Sequence, residues 1–132
     1  MKWRDLVPMF KRVTEKQDQI KLMEKYFWFI GDGYFLDALN SFKKGEGFGI
    51  EAISCLFHDE FEPWEDMYFG DSGVAYIEEQ SPIEESIMFV MNYKEFYDYL
   101  TNQSKGYLER FPHDELEVKN CLSIFEEAFV VG

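Results

Sequence analysis

Ile50-Glu51-Ala52-Ile53-Ser54-Cys55-Leu56-Phe57 marks the point at which the hydrophobic period of the chain changes. Up to this point apolar residues recur every three to four positions. From here short β-branched and aromatic runs take over, and Gly73-Val74-Ala75-Tyr76-Ile77-Glu78-Glu79 and Ser86-Ile87-Met88-Phe89-Val90-Met91 repeat the pattern. Such residues fit a pleated, half-buried surface, and the segments between the runs are rich in Asp, Gly, Ser and Pro, which favour turns. Residues 50–57, 73–79 and 86–91 are therefore predicted to be strands of an antiparallel meander.

Outward from the strands, the period is helical on both sides. Thr14-Glu15-Lys16-Gln17 has the form of a capping box, and Ile20, Met23, Phe27 and Ile30 follow at helical spacing, which predicts a helix over 15–30. Gly31-Asp32-Gly33 breaks it. Asp32 can cap a second helix over 33–44, in which Phe35, Ala38, Leu39 and Phe42 share a face, and Gly45 stands where a left-handed C-terminal cap is wanted. After the strands, Asn92-Tyr93-Lys94-Glu95 repeats the cap-plus-Glu signature and opens a helix to Arg110 with Phe96, Tyr99 and Leu100 inward. Phe111-Pro112 ends it. A last helix from Asp114 places Val118, Cys121, Leu122, Phe125 and Phe129 on one stripe. The expected fold is α+β: a small antiparallel sheet of three to four strands packed with about four helices, two before and two after the strands.

The chain has 132 residues, of which 46% are hydrophobic and 19% aromatic, enough for one well-cored domain spanning 1–132 and too apolar for intrinsic disorder. No repeat, low-complexity tract or Pro/Gly-rich linker divides it. Met1-Lys2-Trp3-Arg4-Asp5 leads into no apolar run of signal-peptide length, and no stretch reaches the length of a membrane span, so a cytoplasmic protein is expected. Cys55 and Cys121 have no metal-ligand or C-x-x-C spacing and are expected as reduced, buried thiols.

The net charge of -13 is distributed very unevenly. Residues 1–44 carry nine Lys/Arg against six Asp/Glu, residues 45–92 none against twelve, and residues 93–132 four against eight. A base-free acidic block repels nucleic acid and anionic membranes, and attracts a cationic partner over a range that salt limits to about 8 Å. No nucleic-acid or membrane partner is therefore expected. An acidic excess alone would also serve solubility, but the length of the base-free stretch favours a partner.

The densest functional signal lies inside that block, in Phe57-His58-Asp59-Glu60-Phe61-Glu62-Pro63-Trp64-Glu65-Asp66-Met67-Tyr68-Phe69-Gly70-Asp71, where acids and aromatics interleave. Pro63 opposes a helix here, so part of the segment is expected to be a surface loop. Phe57, Phe61 and Phe69 are expected to point into the core. Trp64 and Tyr68 are candidate anchors, since Trp and Tyr bury large area with few rotors and keep a polar tip. The candidate partner-binding residues are Asp59, Glu60, Glu62, Trp64, Glu65, Asp66, Tyr68 and Asp71.

Enzymatic readings find less support. The spacing of a calcium loop is absent, and among so many acids some pair would meet glycosidase geometry by chance. His58 and His113 belong to no catalytic or zinc element, and Gly45-Glu46-Gly47-Phe48-Gly49 is not a nucleotide-binding loop. No catalytic residue, metal or cofactor is expected.

With these residues placed, the chain resembles the ribonuclease-toxin immunity proteins of the CdiI type, which protect bacteria from contact-dependent inhibition and related polymorphic toxins. The resemblance rests on Gly33-Tyr34-Phe35-Leu36-Asp37-Ala38-Leu39 with Gly45-x-Gly47-x-Gly49 after it. Further support comes from Phe57-His58-Asp59-Glu60-Phe61-Glu62-Pro63-Trp64-Glu65 with Gly73-Val74 beyond, and from Tyr93-Lys94-Glu95-Phe96-Tyr97-Asp98-Tyr99-Leu100. Together these cover roughly residues 30–125. The resemblance implies an inhibitor that lies over the active site of an RNase A-like toxin and blocks RNA; a monomer without enzymatic activity is expected. Charge agrees independently, because a ribonuclease holds its polyanion with bases that an acidic surface can pair. The alternative is an acidic adaptor, or an immunity protein for a non-nuclease cationic partner.

Overall fold

The computed structural model describes residues 10–79 and 86–131. The opening stretch Met1–Asp5 and most of the link between the second and third predicted strands lie outside the described residues. In chain order the elements are β1 (Phe10–Arg12), α1 (Lys16–Ile30), α2 (Phe35–Phe42), β2 (Phe48–Ile50), β3 (Ile53–Phe57), β4 (Val74–Glu78), β5 (Ser86–Met91), α3 (Tyr93–Arg110) and α4 (Glu115–Phe125). A 3₁₀ turn follows β3 at His58–Glu60, another precedes α4 at Pro112–Asp114, and a π-helical turn, Glu126–Val131, extends α4.

The fold is α+β with four helices, and the sheet corrects the expectation in number and sense. Among the described residues it has five strands in the order β1-β5-β4-β3-β2, and it is mixed rather than antiparallel, because β1 runs parallel to β5. The predicted strand 50–57 is in fact a hairpin: Ile50 pairs with Ile53, and Glu51-Ala52 form the two-residue turn between β2 and β3. Both additional strands are three-residue edges, so each has too few residues to show an alternation. The two helices before and two after flank β2–β5, while β1 precedes them all.

Alternation gives the sheet two faces of different character. Cys55, Tyr76 and Phe89 stand opposite one another across β3, β4 and β5, as do Phe57, Val74 and Met91. This face meets the helices in the main core, with Tyr26, Phe27 and Ile30 of α1, Phe42 of α2, Phe96 and Leu100 of α3, and Val118, Cys121 and Phe125 of α4. Several of the aromatic pairs meet edge to face, as Phe42 with Phe96 at 5.1 Å and Phe57 with Phe125 at 6.2 Å, an arrangement ring quadrupoles favour. The other face carries Ala75, Ile77 and Met88, with Leu56 and Val90, and among the described residues no helix packs against this cluster.

Local signals succeed where no competing contact intervenes. Asn92 caps α3 as expected: its side chain accepts from Glu95 N–H at 2.8 Å, and its amide donates to the Glu95 carboxylate. Gly45 has φ +76°, the left-handed geometry foreseen after α2. The Thr14 capping box does not form; α1 starts from Glu15 with no side-chain cap, and Gln19 Nε2 donates to Val13 O at 3.0 Å. Asp32 does not cap α2, whose N-cap is Tyr34. The Arg110 guanidinium takes it instead in a two-pronged pair, with Nε to Oδ2 at 3.0 Å and Nη2 to Oδ1 at 2.8 Å. Ile20, assigned to the inward stripe of α1, is 37% exposed, and the buried stripe is Leu22, Met23, Tyr26, Phe27 and Ile30. Both cysteines are free and buried.

Candidate functional site

The segment between β3 and β4 covers this second face of the sheet. Phe61, Met67 and Phe69 turn inward, half-buried, and pack against the cluster of Ala75, Ile77 and Met88. Phe61 and Phe69 meet edge-on at 5.9 Å, an arrangement worth about 0.5–1.5 kcal/mol beyond the area it buries. Phe57 lies in the main core, as expected. Phe61 and Phe69 also serve as packing residues, but in this second cluster rather than in the core beneath the helices.

The base of the loop is closed by short contacts. His58 N–H donates to Gly73 O at 3.2 Å, and Phe61 N–H to His58 O at 3.2 Å. Gly73 has φ +98°, and a Cβ there would stand 2.8 Å from Met91 O, so a side chain is excluded both by conformation and by space. Tyr93, at the start of α3, lies with its ring 6.3 Å from that of His58. Its phenol pKa is raised, chiefly by burial, against an opposing hydrogen bond from the Gly73 backbone. Further along, Glu65 Oε1 accepts from Glu62 N–H at 2.9 Å, and Glu65 N–H donates to Glu62 O at 2.9 Å. Together these bonds tighten the turn that contains Pro63 and Trp64.

The aromatic underside fixes what faces water. Asp59, Glu60, Glu62, Trp64, Glu65, Asp66 and Asp71 are exposed, Trp64 to 79%, and Tyr68 is half-buried. Among the described residues none of these six carboxylates pairs with a Lys, Arg or His, whereas Asp32, Glu78, Asp98 and Glu115 all do so elsewhere. Glu60 differs from the others. Its Oε1 accepts from Gly47 N–H at 2.5 Å, and burial, the largest influence, raises its pKa against the lowering effect of the Gly47 and Phe57 amides. All eight candidate residues thus sit on one connection, held from beneath by three apolar side chains and at its base by four backbone groups.

Sequence reasoning missed the residues that hold this surface: Gly47, Gly73, Met67 and Tyr93. In the sequence Gly47 stands in a glycine-rich stretch that is part of the family resemblance, but nothing local to it points to Glu60. The other three gain their role from contacts distant in sequence.

Two features bear on other chemistries. Among the described residues no group of three or more His, Cys, Asp or Glu is placed to hold a metal ion, and no helix is long and apolar enough to cross a membrane. A cavity of about 470 Å³ lies between α1 and the β1–β5 edge, on the far side of the sheet order from β3, and mixes Lys11, Lys21 and Lys25 with Glu15, Asp18 and Glu78 over an apolar floor. It shares no residue with the acidic loop.

Among proteins of known family, the model of the CdiI_4 family, described as CDI immunity protein, matches residues 19–122, a span that contains α2, β2–β5, α3, the whole acidic loop and most of α1. No curated protein matches the chain.

Proposed function

The chain belongs to the CDI immunity protein family, and on that footing we propose that it binds and neutralises a cognate ribonuclease toxin by laying its acidic loop over the basic active site. The observation that carries this reading is the loop itself: six carboxylates without a basic partner among the described residues, around a Trp that is 79% exposed, on a backbone packed from below. An RNA-cleaving site must gather Lys, Arg or His to hold phosphates, and carboxylates presented at similar spacing can pair the same groups. Trp64 and Tyr68 supply the apolar anchor, and Asp59, Glu62, Glu65, Asp66 and Asp71 the pairing charges. Neutralisation is by occlusion, so no bond is made or broken and no metal or cofactor takes part. The inhibitor acts as a monomer in the cytosol.

Rigidity supports the same assignment. A loop already packed against a sheet has less conformational entropy to lose on binding than a free one, so more of its contact energy appears as affinity. Electrostatic steering should raise the association rate from about 10⁵–10⁶ M⁻¹s⁻¹ towards 10⁸ M⁻¹s⁻¹ at low salt. Stopped-flow mixing with the cognate toxin domain, sought in the gene directly upstream, tests this across a salt series, and steady-state inhibition at rising RNA concentration tests occlusion. A rate that falls steeply with salt and inhibition that RNA competes away are expected. A salt-independent rate, or inhibition indifferent to RNA, would overturn steering or occlusion respectively.

A further inference from the structure

We infer that Glu60 is a positioning residue: its carboxylate latches the acidic loop to the entry of β2 and thereby presets the display, while its neighbours make the contacts. The inference rests on the toxin-binding reading and assigns one of the candidate acids a different task within it.

The geometry sets Glu60 apart. Its Oε1 reaches 13 residues back along the chain to the Gly47 amide at 2.5 Å, joining the first turn of the loop to the strand at the sheet edge. Only glycine permits the approach. A Cβ on residue 47 would stand 2.5 Å from Cys55 O, 2.7 Å from Leu56 Cδ2 and 2.9 Å from Glu60 Oε1 itself, so two of its three nearest neighbours belong to β3 and the third is the latch. The fit is therefore built from both sides, by a residue without a side chain and by one whose side chain turns back.

The latch lies at the point from which the rest of the loop is aimed. Glu60 is the last residue of the 3₁₀ turn His58–Glu60, and the next residue, Phe61, is the first to drop onto the second face of the sheet. With His58 N–H bound to Gly73 O, the turn is fixed at its start, and the Glu60–Gly47 bond fixes its end. Losing the second fixture frees the turn to rotate and lets Phe61 lift. Asp59, one residue earlier and exposed, has no hydrogen-bond partner among the described residues. Burial raises the Glu60 pKa, so holding this carboxylate here has a cost, which two backbone amides offset only in part.

A latch and a contact respond differently to substitution. Glu60→Ala removes the acceptor, which lowers the fraction of molecules with the loop in its binding form; the apparent affinity falls by that fraction, by about ten-fold for one lost charge-assisted bond. Glu60→Gln keeps an oxygen that can accept from the Gly47 amide, and should rescue most of that loss. Asp59→Asn, by contrast, should slow association and flatten its salt dependence without loosening the loop.

The first measurement is amide hydrogen exchange of residues 61–72 in the free protein, which needs no toxin. Faster exchange in Glu60→Ala, restored by Glu60→Gln and unchanged in Asp59→Asn, is the expected result. Unaltered exchange in Glu60→Ala would overturn the latch. The second is binding of a catalytically inactive toxin domain to the same variants. Rescue by Glu60→Gln with the salt slope of the wild type supports positioning; equal loss in Glu60→Gln and Glu60→Ala with a flattened slope makes Glu60 a contact and overturns it. If the wild-type protein binds no ribonuclease toxin, the function reading falls while the exchange result still decides whether the loop is latched.

Discussion

Two core tyrosines should respond in opposite directions to loss of the same atom. Tyr76, on β4 in the centre of the sheet, is 0% exposed, and its hydroxyl has no hydrogen-bond partner among the described residues. The ring is enclosed by Tyr26 at 5.5 Å, Phe96 at 6.1 Å, Phe89 at 6.2 Å and Phe27 at 6.4 Å. Tyr76→Phe keeps all of that packing and removes a buried, unsatisfied hydroxyl, which costs about 1–3 kcal/mol to bury. The void left by one oxygen returns a few tenths of a kcal/mol, at about 24 cal/mol per Å³. The net expectation is a gain of about 1 kcal/mol, or roughly 3–5 °C in Tm for a chain of this length.

Tyr26 makes the opposite case. Its hydroxyl donates to Phe48 O at 2.6 Å, tying α1 to the edge strand β2. Tyr26→Phe loses that bond and should cost about 1 kcal/mol, leaving the two variants about 2 kcal/mol apart. Urea denaturation at constant pH measures both, with an unchanged m-value as the check that the folded and unfolded states are otherwise alike. Destabilisation of Tyr76→Phe by more than about 1 kcal/mol would mean that its hydroxyl is satisfied after all, and would refute the reasoning.

Further predictions concern the backbone and pH. Glu51, in the two-residue turn between β2 and β3, has φ +56°, a conformation L side chains adopt at a cost. Glu51→Gly should stabilise the protein by about 0.5 kcal/mol, the relief of strain outweighing the extra freedom of glycine when unfolded, and a drop in the denaturation midpoint would contradict it. Tyr107 donates to Asp114 Oδ2 at 2.6 Å, and its pKa is pushed up to about 12, first by burial and then by that carboxylate. A folded-state pKa above the unfolded value near 10 means that this group's stabilising contribution is whole below pH 10 and is lost as pH rises towards 12. Tyr107→Phe should therefore flatten the alkaline limb of the stability profile between pH 10 and 12, and an unchanged limb would rule the linkage out.

How much was legible beforehand depends on whether a feature is local. The faces of α2 and α4 follow from Phe35, Ala38, Leu39 and Phe42 and from Val118, Cys121 and Phe125, all of them buried as their spacing requires. The Asn92 cap forms because Glu95, three residues on, is its partner. By contrast, Phe10–Arg12 becomes a strand only by pairing with Ser86–Met88, far along the chain, and no pattern within three residues announces that. Phe48-Gly49-Ile50 was hidden by its shortness and its central glycine. Asp32 offered a cap locally and lost to Arg110, 78 residues away. In the acidic loop, the mixture of acids and aromatics marked the segment but not its underside. That Phe61 and Phe69 face the second side of the sheet depends on which side the helices take, and this is a tertiary fact.

Reversing charge on the loop tests most directly whether that surface meets the toxin. Asp59→Lys with Glu62→Lys alters exposed side chains, which should change stability by under about 0.5 kcal/mol, and places like charges against the partner's bases. Glu126→Lys with Glu127→Lys makes the same change of net charge in the C-terminal turn, which holds none of the proposed contact residues. Affinity for the toxin domain, measured by calorimetry and matched to survival of toxin-expressing cells, should fall by about 100-fold or more in the loop variant, with protection lost, and by far less in the C-terminal one. Full protection by the loop variant, or equal loss in the two, would contradict the assignment of the acidic loop as the inhibitory surface.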